Sequence, residues 1–138
     1  MTRFFLDTNI VAYADDLDAP AKQAVALALV ERAFGESAGV ISIQVLQEYF
    51  VTATRKLGVS REDARRKVEL LSRLEWVRLD ATDLLAAIDL QGHHGFSFWD
   101  ALIIQAALVA RCSILYSEDL QSGFRLGSLQ IVNPFKNF

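Results

Sequence analysis

The sequence predicts an α/β fold, a three-layer α/β/α sandwich around a mainly parallel sheet of about five strands, with residues 1–138 forming one domain. Two observations carry that expectation. Short apolar runs (Phe4-Phe5-Leu6, Val40-Ile41, Ile114-Leu115-Tyr116, Leu129-Gln130-Ile131-Val132) recur along the chain, and the stretches between most of them read as helices. Strands separated by helices pair in parallel through right-handed crossovers, and a strand buried on both faces reads as a near-continuous hydrophobic run. Hydrophobic residues make up 52% of the 138, ample for one core.

Each element has a local reason. Phe4-Phe5-Leu6 is a first strand, ended by Asp7, and a short helix continues through Tyr13. Pro20 suits the first turn of the next helix, with an N-cap among the acids before it, and that helix runs through Ala21–Phe34 to Gly35 as a mostly buried element. Val40-Ile41-Ser42 is the second strand, entered through Gly39. A helix from about Ile43 to Lys56 follows, stopped by Gly58, with Ile43, Leu46, Phe50 and Leu57 on its inner side and Gln44, Glu48, Thr52 and Arg55 as a polar row. Ser60-Arg61-Glu62-Asp63 opens a helix with a capping box; Val68, Leu71 and Leu74 face inward. Trp76–Leu79 is the third strand. A helix from Ala81 to about Leu90 ends near Gly92-His93-His94-Gly95. Ser97 caps an almost wholly apolar helix, Phe98 to Arg111, placed at the centre of the packing. Ile114–Tyr116 is the fourth strand, and after a loop containing Gly123, Leu129–Val132 is the fifth.

Composition excludes several classes. No apolar stretch reaches the ~20 residues needed to cross a bilayer, and the N-terminus meets Asp7 too early for a signal-peptide core. The lone Cys112 cannot form an internal disulfide, which makes a cytoplasmic setting the expectation and a buried hydrophobe its expected role. The net charge is −3, yet residues 55–78 hold eight basic and four acidic side chains, leaving −7 for the rest. A basic flank beside an acidic pocket suits a protein that holds phosphates at one place and cations at another; a solvated helix face is the plainer alternative.

Four acids share one expected placement. Asp7 and Asp119 follow the first and fourth strands, Glu48 lies about one and a half turns into the helix after the second, and Asp100 opens the helix that feeds the fourth. In a doubly wound sheet, strand ends and the starts of the following helices share one edge, where ligands bind. Asp100 joins them only because its crossover helix runs antiparallel to the strands. Each acid alone has an ordinary role: a helix cap for Asp7, a surface charge paired to Arg55 or Thr52 for Glu48, a capping box for Asp100, a loop acid for Asp119. Together they would repel, since two unit charges at 4 Å cost ~4 kcal/mol at an effective dielectric of 20. Protonation or a cation must relieve that, and hard oxygen donors point to Mg²⁺ or Mn²⁺.

Asp7-Thr8-Asn9 after an apolar strand, Ser42 with Glu48 six residues on, Ser97-Phe98-Trp99-Asp100-Ala101 and Ser117-Glu118-Asp119 together resemble the PIN-domain ribonucleases, and within them the VapC-type toxins of toxin–antitoxin pairs. The resemblance implies a metal-dependent endoribonuclease hydrolysing RNA phosphodiester bonds, with Asp7, Glu48, Asp100 and Asp119 as catalytic, metal-binding acids for Mg²⁺ or Mn²⁺. Asn9 and Ser117 match accessory polar positions; Ser117 stands where many members carry Thr. Glu118 is a further carboxylate, and both it and Asp119 remain candidates to meet the metal. The resemblance also implies an RNA substrate, a homodimer, a cognate antitoxin whose tail lies across the active-site groove, and no membrane partner. The expected partner contact is the apolar surplus around Ala21–Phe34.

Arg55, Lys56, Arg65 and Arg66 are the expected phosphate-holding residues. Phe98 and Trp99 are expected in the core, with base stacking as the alternative. His93 and His94 are expected to hydrogen-bond at a helix end. Four other readings compete. An aspartyl-phosphate phosphatase needs an acid two residues after Asp7, where Asn9 stands. A phosphorelay receiver needs a Lys after a late strand, and beyond residue 67 there is only Lys136. A nuclease of the same fold without an antitoxin, or a non-catalytic RNA- or protein-binding module, keeps the same sequence pattern.

Overall fold

In a computed structural model of the protein, residues 2–136 are described. The elements run β1 (Phe4–Leu6), α1 (Thr8–Tyr13), α2 (Pro20–Gly35), β2 (Gly39–Ser42), α3 (Ile43–Arg55), α4 (Arg61–Leu71), β3 (Glu75–Val77), α5 (Ala81–His94), α6 (Phe98–Val109), β4 (Ile114–Tyr116), β5 (Arg125–Leu126) and β6 (Leu129–Val132). They form an α/β fold with one sheet of order β3-β2-β1-β4-β6-β5, parallel except for the β5–β6 pair. Phe5 lies opposite Val40 on one side and Leu115 on the other, so β1 stands between β2 and β4. Phe4, Phe5, Leu6, Val40, Ile41 and Leu115 are all fully buried, as a central parallel strand requires. One strand was not anticipated: β5 is two residues long, too short to show periodicity, and turns back onto β6 through Gly127 at φ 59°.

Helix packing explains the remaining order and corrects several expectations. Gly39 lets α2 lie against β2, since a Cβ there would stand 2.2 Å from that of Ala33. Only one stripe of α2 is buried (Ala26, Leu29, Val30, Ala33), so the helix is less enclosed than its composition suggests. Its N-cap is Ala19 with no side-chain bond; Pro20, which lacks an N–H, sits at the helix start, while Asp15 accepts from Tyr49 and Lys67 and Asp16 accepts the Asp18 N–H. On α3 the buried face is Val45, Leu46, Tyr49 and Ala53, while Ile43, at the first position after β2, is exposed. The Ser60 hydroxyl caps α4 as expected, accepting from Asp63 N–H at 3.1 Å, and Leu71 and Leu74 are buried. The central helix α6 buries Ala101, Ile103, Ile104, Ala106 and Ala107. Cys112 is buried, and burial pushes its thiol up to about 12. Among the described residues no helix is long and apolar enough to cross a membrane.

Candidate active site

The parallel ladder brings the ends of β1, β2 and β4 to one edge. Asp7 N–H donates to the Tyr116 carbonyl (3.1 Å) and Ser117 N–H to the Val132 carbonyl (3.0 Å), which sets Asp7 and Ser117 side by side beyond their strands. Over this edge opens a cleft of about 720 Å³, lined by Asp7, Glu48, Asp100 and Asp119 among others. The antiparallel course of α6 delivers Asp100 there.

Asp7 is only 6% exposed. It caps α1, accepting the Thr8 N–H at 2.7 Å, and its other oxygen accepts the Ser117 hydroxyl at 2.8 Å. Burial nevertheless raises its pKa to about 6, against the pull of those two bonds and with help from the charges of Glu48 and Asp100. Asp100 is also raised, by burial first and then by Asp119 and Glu48, while Ser97 opposes the shift. Ser97 Oγ caps α6 by accepting the Asp100 N–H at 3.1 Å, so capping uses the Asp100 backbone and its carboxylate reaches the cleft.

Glu48 accepts the Thr8 hydroxyl at 2.6 Å and the Gln44 amide at 3.2 Å, not Arg55 or Thr52. Gln44 also donates to the Trp99 carbonyl at 3.2 Å and so ties α3 to the start of α6. Asn9 donates to Asp119 (3.2 Å), with longer contacts to Ser117 Oγ (3.4 Å) and Asp7 (3.5 Å), and accepts the Glu118 N–H (3.1 Å). The Glu118 carboxylate is taken up by Tyr13 and Lys22; burial alone would raise its pKa, but those two donors hold it below the usual carboxylate range.

The basic candidates separate. Lys56 lines the cleft, whereas Arg55 does not and lies exposed at the end of α3. Arg65 and Arg66 lie on α4, paired along the helix to Glu69 (3.4 Å) and Asp63 (2.9 Å). Phe98 is half-buried and Trp99 is 61% exposed, which corrects the expected core placement of Trp99; burial on α6 begins with Ala101. His93 and His94 occupy the last turn of α5, which Gly95 ends in a left-handed conformation (φ 75°). Thr8, Gln44, Tyr13 and Lys22 were not singled out as site residues. Thr8 sits within the Asp7-Thr8-Asn9 run and Gln44 shares Glu48's polar row; Tyr13 and Lys22 carry no comparable sequence signal.

Among the described residues no three His, Cys, Asp or Glu side chains are arranged to hold a metal ion unaided. The donor set still suits a hard divalent cation, because all four groups offer only oxygen and none is ion-paired among the described residues.

A parallel α/β sheet whose strand ends meet an acid-lined cleft defines the class of protein. The PIN domain family model matches residues 4–125, and the chain belongs to the PIN-domain family, the nuclease family that its motifs resemble. No curated protein sequence matches it significantly. Among solved structures it is similar to VapC20 of Mycobacterium tuberculosis, a sarcin–ricin loop cleaving toxin (20% identity, TM-score 0.66, 84% of this chain and 89% of that one). It is also similar to a chain of a toxin–antitoxin complex from Klebsiella pneumoniae (19%, 0.66, 95% and 97%). A third is in VapBC2 of Rickettsia felis, bound to a DNA fragment from its promoter (21%, 0.64, 93% and 96%). These likenesses show the fold.

Proposed function

We propose that this protein is a Mg²⁺- or Mn²⁺-dependent endoribonuclease and the toxin of a toxin–antitoxin pair. The observation that carries the reading is the convergence of Asp7, Glu48, Asp100 and Asp119, from four separate segments, on one cleft, with none of them ion-paired among the described residues and two of them raised in pKa. A fold that gathers uncompensated acids spends stability on a function. The family membership supports a nuclease. The toxin reading and the cognate antitoxin are supported by the neighbours, one a sarcin–ricin loop cleaving toxin and two in toxin–antitoxin assemblies; the homodimer rests on the family resemblance of the motifs.

In this reading the four acids would be the oxygen donors to the metal, which when bound would supply activation of water and an offset for the charge on the scissile phosphate. The chain's own residues do the rest. Ser117 and the Thr8 N–H fix the Asp7 carboxylate, Thr8 and Gln44 aim Glu48, and Asn9 holds Asp119. Lys56 at the cleft wall takes a flanking phosphate without reading sequence. Trp99, exposed beside Asp100, offers a face to an unpaired base.

The test is to express the protein alone in a bacterial host, score growth and map new RNA 5′ ends, with Asp100→Asn in parallel. The expected result is growth arrest with discrete new ends for the wild type and neither for the variant. Cleavage without arrest would make it a nuclease with no toxin role, and absence of new ends would leave a non-catalytic module.

A further inference from the structure

Three side chains meet where the loop after β4 crosses the first two helices. Tyr13, the last residue of α1, donates its hydroxyl to Glu118 Oε1 at 2.7 Å. Lys22, near the start of α2, donates to Glu118 Oε2 and lies 3.4 Å from the Tyr13 hydroxyl. Its ammonium stands 4.9 Å from the Tyr13 ring centre and 5.6 Å from that of Phe135. Both oxygens of Glu118 therefore have a donor.

This pair differs from the arginine pairs on the helices. Arg32–Glu36 and Arg65–Glu69 each join one turn of a helix to the next. Lys22 and Glu118 are 96 residues apart in sequence and join two separate elements, with side chains 34% and 24% exposed. Glu118 is held a second time through its backbone, whose N–H donates to Asn9 Oδ1, and Asn9 in turn donates to Asp119. The segment 117–119 is thus pinned directly before Asp119: Ser117 to Asp7 at the N-cap of α1, and Glu118 to Tyr13 of α1 and Lys22 of α2. Glu118 and Asp119 both line the cleft, so whichever carboxylate is unclamped is the one available to a cation.

We propose that Lys22 is a positioning residue: through Glu118, and with Tyr13, it clamps the segment after β4 against α1 and α2, which withdraws Glu118 from the cation-binding set and leaves Asp119 to face the cleft. The catalytic consequence rests on the nuclease reading above; the clamp itself is measurable without metal or RNA.

The test uses Lys22→Met, Glu118→Gln, their double variant, Lys22→Arg and Asp119→Asn in the full chain. In EDTA, each single change at 22 or 118 should lower Tm, and the double variant should fall no further than the worse single one, because the two side chains act as a unit. In calorimetric titration with Mn²⁺ alone, Glu118→Gln should keep a Kd within about threefold of the wild type while Asp119→Asn weakens binding about tenfold or more. On RNA, Lys22→Met and Glu118→Gln should lose about tenfold in kcat with KM little changed, and Lys22→Arg should keep wild-type kcat. The proposal is overturned if the two stability losses simply add, if Glu118→Gln weakens Mn²⁺ binding as much as Asp119→Asn, or if Lys22→Met leaves kcat intact in a protein that cleaves. A wild type that neither binds Mn²⁺ nor cuts RNA sinks the nuclease reading instead, and the EDTA cycle then decides the clamp by itself.

Discussion

At the strand-start edge of the sheet, Arg3 grips both oxygens of Glu75 and donates through Nε to the Ala110 carbonyl (2.9 Å); at the strand-end edge, four carboxylates share a cleft and none is ion-paired among the described residues. The same sheet supports both, and the titration of the acids differs accordingly. The Arg3 guanidinium holds Glu75 below the usual carboxylate range, whereas burial and mutual repulsion push Asp7 up to about 6 and Asp100 upward as well. The difference teaches which charges belong to the scaffold. An acid with a partner supports the fold, and an acid buried among its own kind, held in place only by neutral donors, works against it.

Four experiments break or sharpen that contrast. The largest effect is expected from Asp7→Asn, which keeps the α1 cap, since Asn caps about as well as Asp. Cleavage of RNA should drop by at least about a hundredfold, measured as initial rates on a labelled transcript; retained cleavage would detach Asp7 from the chemistry. The same variant in EDTA reads the cost of the buried charge. The interval between the ordinary 3.8 and about 6 corresponds to at most about 3 kcal/mol. The native state binds the Asp7 proton more tightly than the unfolded chain, so this group's contribution to stability is present below about pH 4 and is lost as pH rises through about 6. The Tm advantage of Asp7→Asn over wild type should therefore grow between pH 4 and 6 and level off above pH 7.

Next in size, Mn²⁺ or Mg²⁺ at a hundredfold excess over its Kd should stabilise the wild type by about 2.7 kcal/mol, or roughly 8 °C in a thermal melt, and EDTA should reverse it. Asp100→Asn should lose much of that gain; an unchanged shift would place the ion elsewhere. The smallest effect belongs to the opposite edge. Glu75→Gln breaks a half-exposed pair and should cost about 1 kcal/mol or less, with cleavage unaffected. Because Glu75 is depressed in the fold, its contribution is present above about pH 4.5 and lost below it, the reverse of Asp7. A Glu75→Gln variant that lost activity would end the division between the two edges.

Much of this was legible from local pattern. Phe4-Phe5-Leu6 and Ile114-Leu115 read as buried strands because they are short apolar runs set between longer helical stretches, and Ser60 and Ser97 marked helix starts through their own hydroxyls. The four acids could be nominated because each sits at a strand end or near a helix start, positions that a doubly wound sheet sends to one edge. The partners of those acids were less legible. Thr8 meets Glu48 across 40 residues and Asn9 meets Asp119 across 110, distances over which no periodicity speaks. Trp99 was expected inside because the segment 98–111 is almost wholly apolar, but the Trp99 side chain is 61% exposed. The two-residue β5 and the choice of Lys22 as the partner of Glu118 belong to the same category.

By itself, then, the order of residues determined where most strands and helices lie, that the central strands are buried, and that the acids fall at one edge, since these follow from apolar runs, caps and crossover handedness. Which donor meets which acid was decided only by the tertiary structure. Those contacts depend on the strand order β3-β2-β1-β4-β6-β5 and on β1 lying between β2 and β4, which sets α1 within reach of both Glu48 and the Ser117–Asp119 loop.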